Sequence, residues 1–164
     1  PKLGGDAYAH LVMEPLRLLA SSDSKVVRDA AVQKLIELSG RSEACAETFG
    51  QIAEKLLNSE WYNYRQSGLQ MTADYLRLNK ASAERRSKAL AQFQTCAADA
   101  LPMVRRQAAE ALARLSEVAN AAELGSSVKQ TLLSLLEDQQ DAVRAVAVRA
   151  VPAFILGCQR ANAA

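Results

Sequence analysis

The pattern of apolar and polar positions repeats four times along the chain. In residues 101–116 (LPMVRRQAAEALARLS), apolar side chains recur at helical spacing at Val104, Ala108, Leu112 and Leu115, and charged residues lie off that line. Related segments read KVVRDAAVQKLIELSG, YNYRQSGLQMTADYL and DAVRAVAVRAVPAF. Near the start of each segment is an arginine, called the marker arginine; the four are Arg28, Arg65, Arg105 and Arg144. Their separations of 37, 40 and 39 residues indicate one supersecondary unit repeated four times.

A second amphipathic segment precedes each marker arginine, so each repeat is predicted to be a pair of helices, A and B. Twelve positions before the marker arginine the repeats have Leu16, Ala53, Phe93 and Leu132, and nine positions before it they have Leu19, Leu56, Cys96 and Leu135. The repeats span about residues 6–40, 41–79, 80–120 and 121–160. Such pairs bury their faces by stacking, so the prediction is all-α, a single α-solenoid array.

Proline, glycine and cap residues add local expectations. Pro15 falls inside the first helix A and predicts a kink there, because its ring removes an N–H and clashes with the preceding turn. Gly40 is expected to end the first helix B in the left-handed conformation. Pro102 suits the first turn of the third helix B. Ser127 and Gln130 have capping-box spacing and predict the start of the fourth helix A.

One column of each helix B is always small. Three positions after the marker arginine the repeats have Ala31, Gly68, Ala108 and Ala147. A column kept small lets two helix backbones approach closely. Stacking one pair on the next demands such an approach, so we expect these positions to lie between neighbouring pairs.

Composition and charge disfavour nucleic acid and membrane partners. The formal net charge is only +2, from 20 basic and 18 acidic residues, which gives no strong field for a polyanion. The densest basic cluster has no aromatic residues for base stacking and is predicted to be a solvated helix face; it consists of Lys80, Arg85, Arg86 and Lys88. No apolar run approaches the length of a membrane span, which is roughly 18 residues. The N-terminal residues show no signal-peptide pattern.

The cysteine and histidine content disfavours metal sites and catalysis. Cys45, Cys96 and Cys158 lie far apart without a CxxC motif, so reduced thiols are expected, in a cytoplasmic or also nuclear protein. Cys96 occupies a column otherwise filled by leucine and is predicted to be a core thiol. His10 is the sole histidine, and no HExxH, GxSxG or glycine-rich phosphate loop occurs. We therefore expect neither enzyme activity nor a cofactor or metal.

Both ends of the chain look like cuts. Pro1 has no methionine before it, and the last repeat still has Val151, Phe154, Ile155 and Leu156, whereas a terminal repeat would show water a polar face. The sequence therefore predicts a fragment of a longer array.

The repeats resemble known helical scaffolds. Helix pairs of this period, with a Val-Arg pair and a small residue three positions beyond, resemble HEAT repeats. The succession VVRDAAV, SEWYNYRQS, ADALPMVRRQAAEALARLSEV and LLEDQQDAVRAVAV resembles the N-terminal portion of the scaffolding A subunits of protein phosphatase 2A, over nearly the whole chain. The resemblance implies a non-catalytic segment that binds a regulatory B subunit through the turns between helices A and B. It also implies that repeats further downstream hold the catalytic subunit.

Two other classes of protein have the same kind of helices. Another HEAT adaptor, such as a nuclear transport receptor or a chromatin-associated scaffold, would bind a peptide-like or nucleic-acid partner. An enzyme on HEAT-like helices is the second alternative. An alkyl-base DNA glycosylase would need an aromatic and acidic cleft facing a basic surface, and a di-iron hydroxylase would need several His-Glu pairs. Acidic residues at the turns argue against the glycosylase, and the single histidine argues against the hydroxylase.

The A–B turns contain the candidate contact residues. Acidic side chains gather there and could steer a basic partner, although helix N-termini also favour carboxylates; the acids are Asp23, Glu60, Asp99, Glu137, Asp138 and Asp141. Trp61 is the only tryptophan and lies at a turn, where it is either an interface anchor, which we favour, or a cap on the core. Tyr62 beside it is a further candidate contact residue. The resemblance also implies partner contacts for Pro102, Arg105 and Arg106.

The four marker arginines have two interpretations, a structural ladder or partner contacts. In the ladder, which we favour for all four, each guanidinium binds a carboxylate or carbonyl near the next turn. Asp99 and Asp138, six positions before their arginines, match the Asp-Arg spacing of the family, whereas Ser22 and Ser59 depart from it. The ladder is therefore expected to be incomplete in the first two repeats.

Overall fold

The structure, a computed structural model, describes residues 5–79 and 82–163. Within those two ranges the chain forms helices and no β-strand, in agreement with the predicted fold class. The helices divide into two compact units, Pro1–Leu78 (unit 1) and Asn79–Ala164 (unit 2). Each unit contains two helix pairs.

In unit 1, a 3₁₀ helix at Gly5–Val12 leads into the first pair. The α-helices of this unit are α1 (Met13–Leu19), α2 (Lys25–Ser39), α3 (Glu43–Leu57) and α4 (Tyr62–Leu78). Helix α1 packs on α3 and α2 packs on α4, so like helices of the two pairs are in contact. The fully buried core includes Leu35, Phe49 and Leu56. Stacking of A on A and B on B is the packing of an α-solenoid.

Unit 2 repeats this plan with longer helices. Its helices are α5 (Ala83–Ala97), α6 (Pro102–Val118), α7 (residues 121–136) and α8 (Asp141–Asn162). Helix α7 is α-helical at Ala121–Glu123 and Lys129–Leu136 and π-helical between them, at Leu124–Val128. Helix α6 packs along α8, and α5 contacts α7. A Cβ on Gly157 would lie 2.6 Å from the carbonyl oxygen of Ser116, so the α6 and α8 backbones touch.

The small column is buried, but the close approach seen at Gly68 is not between neighbouring pairs as predicted. Ala31, Ala108 and Ala147 are buried. A Cβ on Gly68 would lie 2.8 Å from the backbone nitrogen of Leu57, at the end of α3. The close approach at Gly68 is therefore between the two helices of one pair.

Of the local expectations about proline and glycine, the one about Gly40 is wrong. Pro15 is the third residue of α1, and the change from 3₁₀ to α geometry comes before it, at Met13. The kink predicted at Pro15 thus falls just after the junction between a 3₁₀ helix and an α-helix. Gly40 follows α2 with φ of −90°, which is not left-handed. Pro102 does begin α6, as expected.

The first helix pair departs from the predicted apolar columns. Leu19 is 49% exposed and Val27 is 38% exposed, whereas the matching residues of unit 2 are buried. Met13 and Ala20, seven residues apart on one face, are buried on this side of the pair instead.

The start of the fourth helix A also differs from the prediction. Asn120 caps α7 seven residues before Ser127, and Glu123 completes a capping box by accepting from the backbone N–H of Asn120 at 2.9 Å. Ser127 lies inside the helix, where its carbonyl oxygen accepts from the side chain of Thr131.

The earlier start of α7 changes the role of Arg86, which was predicted to be solvated. Its side chain is 5% exposed and forks onto Glu123, with Nε 2.7 Å from Oε1 and Nη2 2.5 Å from Oε2. Nη2 also donates to the carbonyl oxygen of Val118 at 3.1 Å. Arg86 therefore joins α5 to the beginning of α7. Lys80, of the same basic cluster, lies outside the described residues.

Candidate docking surface at the helix-pair turns

The turns between helices A and B comprise residues 20–24 (turn 1), 58–61 (turn 2), 98–101 (turn 3) and 137–140 (turn 4). The marker arginine of each pair is the fourth residue of helix B. It is therefore within reach of the turn that precedes it.

Each marker arginine grips the turn of its own pair through Nη1. Arg28 donates to the carbonyl oxygens of Ser22 and Asp23, both at 2.9 Å. In the second and third pairs Nη1 likewise donates to the carbonyl oxygens six and five positions before the arginine. Arg65 donates to Ser59 at 2.9 Å and to Glu60 at 2.8 Å. Arg105 donates to Asp99 at 2.8 Å and to Ala100 at 3.3 Å. Arg144 reaches the carbonyl of Asp138 at 2.5 Å. The contact that all four share is thus within one pair, not with the next turn as expected.

The side chain six positions before the marker arginine organises the same turn. It accepts a hydrogen bond from the backbone N–H two residues further on, the Asx or Ser/Thr turn that these residue types favour. The bonds are Ser22 with Ser24 (3.2 Å), Ser59 with Trp61 (3.2 Å), Asp99 with Leu101 (2.9 Å) and Asp138 with Gln140 (2.9 Å). Serine and aspartate are therefore equivalent for the local turn.

Within unit 2, the third marker arginine makes the predicted ion pair with the next turn. Arg105 holds Asp138 through Nε at 2.6 Å from Oδ2 and Nη2 at 3.0 Å from Oδ1, with side chains 16% and 7% exposed. The hydrogen bonds from Arg105 lower the pKa of Asp138, and Asp138 raises the pKa of Arg105. Within unit 1, Arg28 instead reaches the Gln66 side chain at 3.4 Å.

Turns 1 and 2 are joined by Asn63, at the start of α4. Its side-chain amide nitrogen donates to the carbonyl oxygen of Ser21 at 3.2 Å and to Oδ1 of Asp23 at 3.4 Å. Ser67, one helical turn later, donates to the carbonyl oxygen of Ala20 at 2.7 Å. The two turns of unit 1 therefore lie side by side.

The predicted aromatic anchor is exposed. Trp61 is 66% exposed and Tyr62 is 42% exposed, next to exposed Glu60. Because Asn63 bonds turn 1, exposed Asp23 belongs to the same surface. Apolar rings and two carboxylates thus form one surface on unit 1, which we call the Trp61 surface (Asp23, Glu60, Trp61 and Tyr62).

On unit 2 the candidate contact residues are either half-buried or, for the most part, paired with neighbouring side chains. Asp99 and Pro102 are half-buried, and Arg106 is exposed but pairs with Glu110 at 3.0 Å. Asp141 is exposed and pairs with Arg144. Glu137 is exposed, and a groove of about 310 Å³ is lined by Asp99, Arg105, Glu137 and Asp138 among others.

Two exposed apolar residues at turn 3 were not predicted. Leu101 is 40% exposed and Met103 is 47% exposed, on either side of Pro102. A sequence signal existed, because both lie outside the apolar columns while they flank a proline at a helix start.

The described part of the chain contains no group of three or more His, Cys, Asp or Glu side chains placed to hold a metal ion. The three cysteines are free; Cys45 and Cys96 are buried, as predicted for Cys96, and Cys158 is partly accessible. None of the described helices is long and apolar enough to cross a membrane.

Curated relatives share one description. A probable serine/threonine-protein phosphatase PP2A regulatory subunit of Caenorhabditis elegans is 30% identical over 165 residues, covering 99% of this chain and 28% of that protein. The beta isoform of the human serine/threonine-protein phosphatase 2A 65 kDa regulatory A subunit is 34% identical over 128 residues, 76% of this chain and 20% of that protein. The protein phosphatase PP2A regulatory A subunit of Schizosaccharomyces pombe is 30% identical over 144 residues, which cover 87% of this chain and 24% of that protein. The chain thus spans about a quarter of the length of these relatives.

The comparison with solved structures supports the fold class. The crystal structure of an engineered protein matches 98% of this chain and 74% of its own chain with a TM-score of 0.57 at 17% identity. At that identity the likeness shows the fold alone. No protein-family model matches the chain.

Proposed function

The chain belongs to the family of the regulatory A subunits of protein phosphatase 2A, and we propose that it is a non-catalytic scaffold segment that binds a regulatory B subunit through its helix-pair turns. In this proposal the phosphatase catalytic subunit is held elsewhere in the longer assembly. The observation that carries the proposal is the exposure of Trp61 on a turn that the rest of unit 1 holds in place.

The hydrogen bonds around turn 2 prepare Trp61 for binding. Arg65 holds the carbonyls of Ser59 and Glu60, and the Ser59 hydroxyl accepts from the Trp61 N–H. A backbone fixed before binding loses little conformational freedom when the partner arrives. A large aromatic side chain presented in this way is the usual kind of interface hot spot.

The chemistry of the Trp61 surface defines the partner surface it fits. The two aromatic side chains call for an apolar pocket, and the carboxylates of Asp23 and Glu60 call for basic residues around that pocket. Charges at a rim mainly accelerate association and act less on affinity. We therefore expect association with the B subunit to slow as salt increases.

The proposal is tested by replacing the anchor and measuring binding to a recombinant regulatory B subunit immobilised on a biosensor. We expect Trp61→Ala to weaken binding about 30-fold, which corresponds to a hot-spot loss of about 2 kcal/mol. Leu156→Ala is the matched control, because Leu156 is 64% exposed but lies within α8, far along the helix from turn 4. Circular dichroism checks that both variants remain folded. Equal binding by the parent and a folded Trp61→Ala variant would contradict the proposal.

A further inference from the structure

Arg28 and Arg105 are held alike but face different residues at the next turn. Both donate from Nη1 to two carbonyls of their own turn. Arg105 then uses Nε and Nη2 to hold the carboxylate of Asp138. Arg28 has only the 3.4 Å contact from Nη2 to Gln66, and its Nε forms no hydrogen bond with the described residues. The first pair thus has an arginine fork that holds no carboxylate of the described residues.

Ser59 occupies the position in turn 2 that Asp138 occupies in turn 4. Both residues lie six positions before a marker arginine, and both accept from the backbone N–H two residues further on. The side chains therefore leave the backbone in equivalent local turns. An anionic group on Oγ of Ser59 would stand in relation to Arg28 as the Asp138 carboxylate stands to Arg105.

We propose that Ser59 is a phosphorylation site and that its phosphate is bound by Arg28. A serine kinase transfers the γ-phosphoryl group of ATP to Oγ: the new Oγ–P bond forms, the bond between the γ-phosphorus and the bridging oxygen breaks, ADP leaves, and the hydroxyl proton passes to the base of the kinase. The phosphate has a charge of about −1.5 to −2 near pH 7 and binds guanidinium groups strongly.

The surroundings of Ser59 favour this modification. It precedes the N-terminus of α4 by three residues, where negative charge is stabilised. Its neighbours Glu60 and Trp61 are exposed, and Ser59 itself is half-buried. The regulatory consequence rests on the proposed function: a phosphate two residues before Trp61 would add charge to the Trp61 surface and change its affinity for a B subunit.

The pairing with Arg28 is tested by encoding phosphoserine at position 59 and, as the matched control, at position 22. Ser22 makes the same local turn bond as Ser59. In this proposal each phosphate lies near the marker arginine of its own pair. Only the phosphate at 59 also has the marker arginine of a preceding described pair, Arg28, beside it. In ³¹P NMR titrations we expect the second pKa of the phosphate at 59 to be lower by about one unit than at 22. The pKa of the phosphate at 59 should rise in Arg28→Lys, because lysine has no guanidinium fork. Equal pKa values at both positions would overturn the pairing.

The modification itself is tested by mapping phosphopeptides of the native protein. Trypsin cleaves after Lys55 and Arg65, and the peptide 56–65 contains Ser59 as its only serine. We expect phosphate on Ser59 in protein from cells treated with phosphatase inhibitors; its absence from a well-sampled peptide would refute the site. Binding of the phosphorylated and plain chains to the B subunit is measured separately. Failure of the plain chain to bind would refute the proposed function but leave the pKa result intact.

Discussion

The ion pair between Arg105 and Asp138 gives the sharpest test of how turns 3 and 4 are joined. Replacing Asp138 with asparagine keeps an oxygen for the Gln140 N–H but removes the charge and sets an NH₂ group against a guanidinium donor. The Asp138 side chain is 7% exposed and accepts two bonds from Arg105. Charge-assisted bonds of this kind are worth about 1.5–3 kcal/mol each, and asparagine retains part of one. We expect Asp138→Asn to cost about 2 kcal/mol, or roughly 10 °C in Tm for a cooperative unit of this size.

The assay is thermal unfolding followed by far-UV circular dichroism, with Asp141→Asn as the control. Asp141 also pairs with an arginine of its neighbourhood, Arg144, but its side chain is 92% exposed, and exposed pairs contribute little. We expect the control to match the parent within the error of the measurement. If the two variants lost equal stability, the argument from burial and bidentate geometry would be refuted.

The pH dependence of the same variant has a defined sign. Hydrogen bonds from Arg105 hold the pKa of Asp138 below its usual value of 3.8 in the folded protein. A depressed carboxyl pKa adds stability that is complete above the unfolded-state pKa and is lost as pH falls through the folded-state pKa. The difference in Tm between parent and Asp138→Asn should therefore be constant from about pH 5 upward and should shrink below about pH 4. A difference that did not change over this acidic range would contradict the assignment.

Three further predictions test the packing. Gly68→Ala should destabilise unit 1 by about 1–3 kcal/mol in urea unfolding, because its Cβ would meet the α3 backbone, whereas Gly40→Ala, with no atom within 4 Å of the new Cβ, should not. Arg86→Gln should cost about 3 kcal/mol by the same measurement, because Glu123 would keep its charge without its buried partner; a neutral outcome would mean that water replaces the pair. Cys158 should react with a thiol reagent in the folded protein well before the two buried cysteines, as read by mass spectrometry of the labelled peptides.

The fold could be predicted because its signals are local and periodic. Four helix pairs and the place of Pro102 follow from spacing alone, and the structure agrees. The small column was predicted to be closely packed, but at Gly68 the approach is within a pair and not between pairs. The start of α7 was not fixed in this way, because the spacing pointed to Ser127, whereas the structure begins the helix at Asn120, seven residues earlier. Only packing decides between them, since the earlier start brings Glu123 to Arg86. A charged side chain buried by a partner that is distant in sequence has no signature in a single sequence.

The sequence allowed us to predict the exposed side chain of the candidate site but not the hydrogen bonds to backbone carbonyls that hold its turn. Trp61 was identified because a lone tryptophan at a turn breaks the apolar pattern, and the structure leaves it exposed. The grip of each marker arginine on its own turn was missed, because the acceptors are carbonyl oxygens and every residue has one. The same acceptors explain why Ser22 and Ser59 do not disrupt the turns that Asp99 and Asp138 form elsewhere.

The nitrogens of the marker arginines therefore have two separate structural roles, one within a pair and one between neighbouring pairs. Nη1 fixes the turn of its own pair in all four repeats, whatever side chain precedes it. Nε and Nη2 of Arg105 join one pair to the next because the following turn supplies an aspartate. The equivalent position in turn 2 is a serine, and Nη2 of Arg28 reaches a glutamine. A single Asp-to-Ser difference can thus weaken the coupling between neighbouring pairs without disturbing the turn that presents a contact residue. On this reasoning the Trp61 surface combines a fixed local geometry with an adjustable link to the preceding pair, which a charge at Ser59 would strengthen.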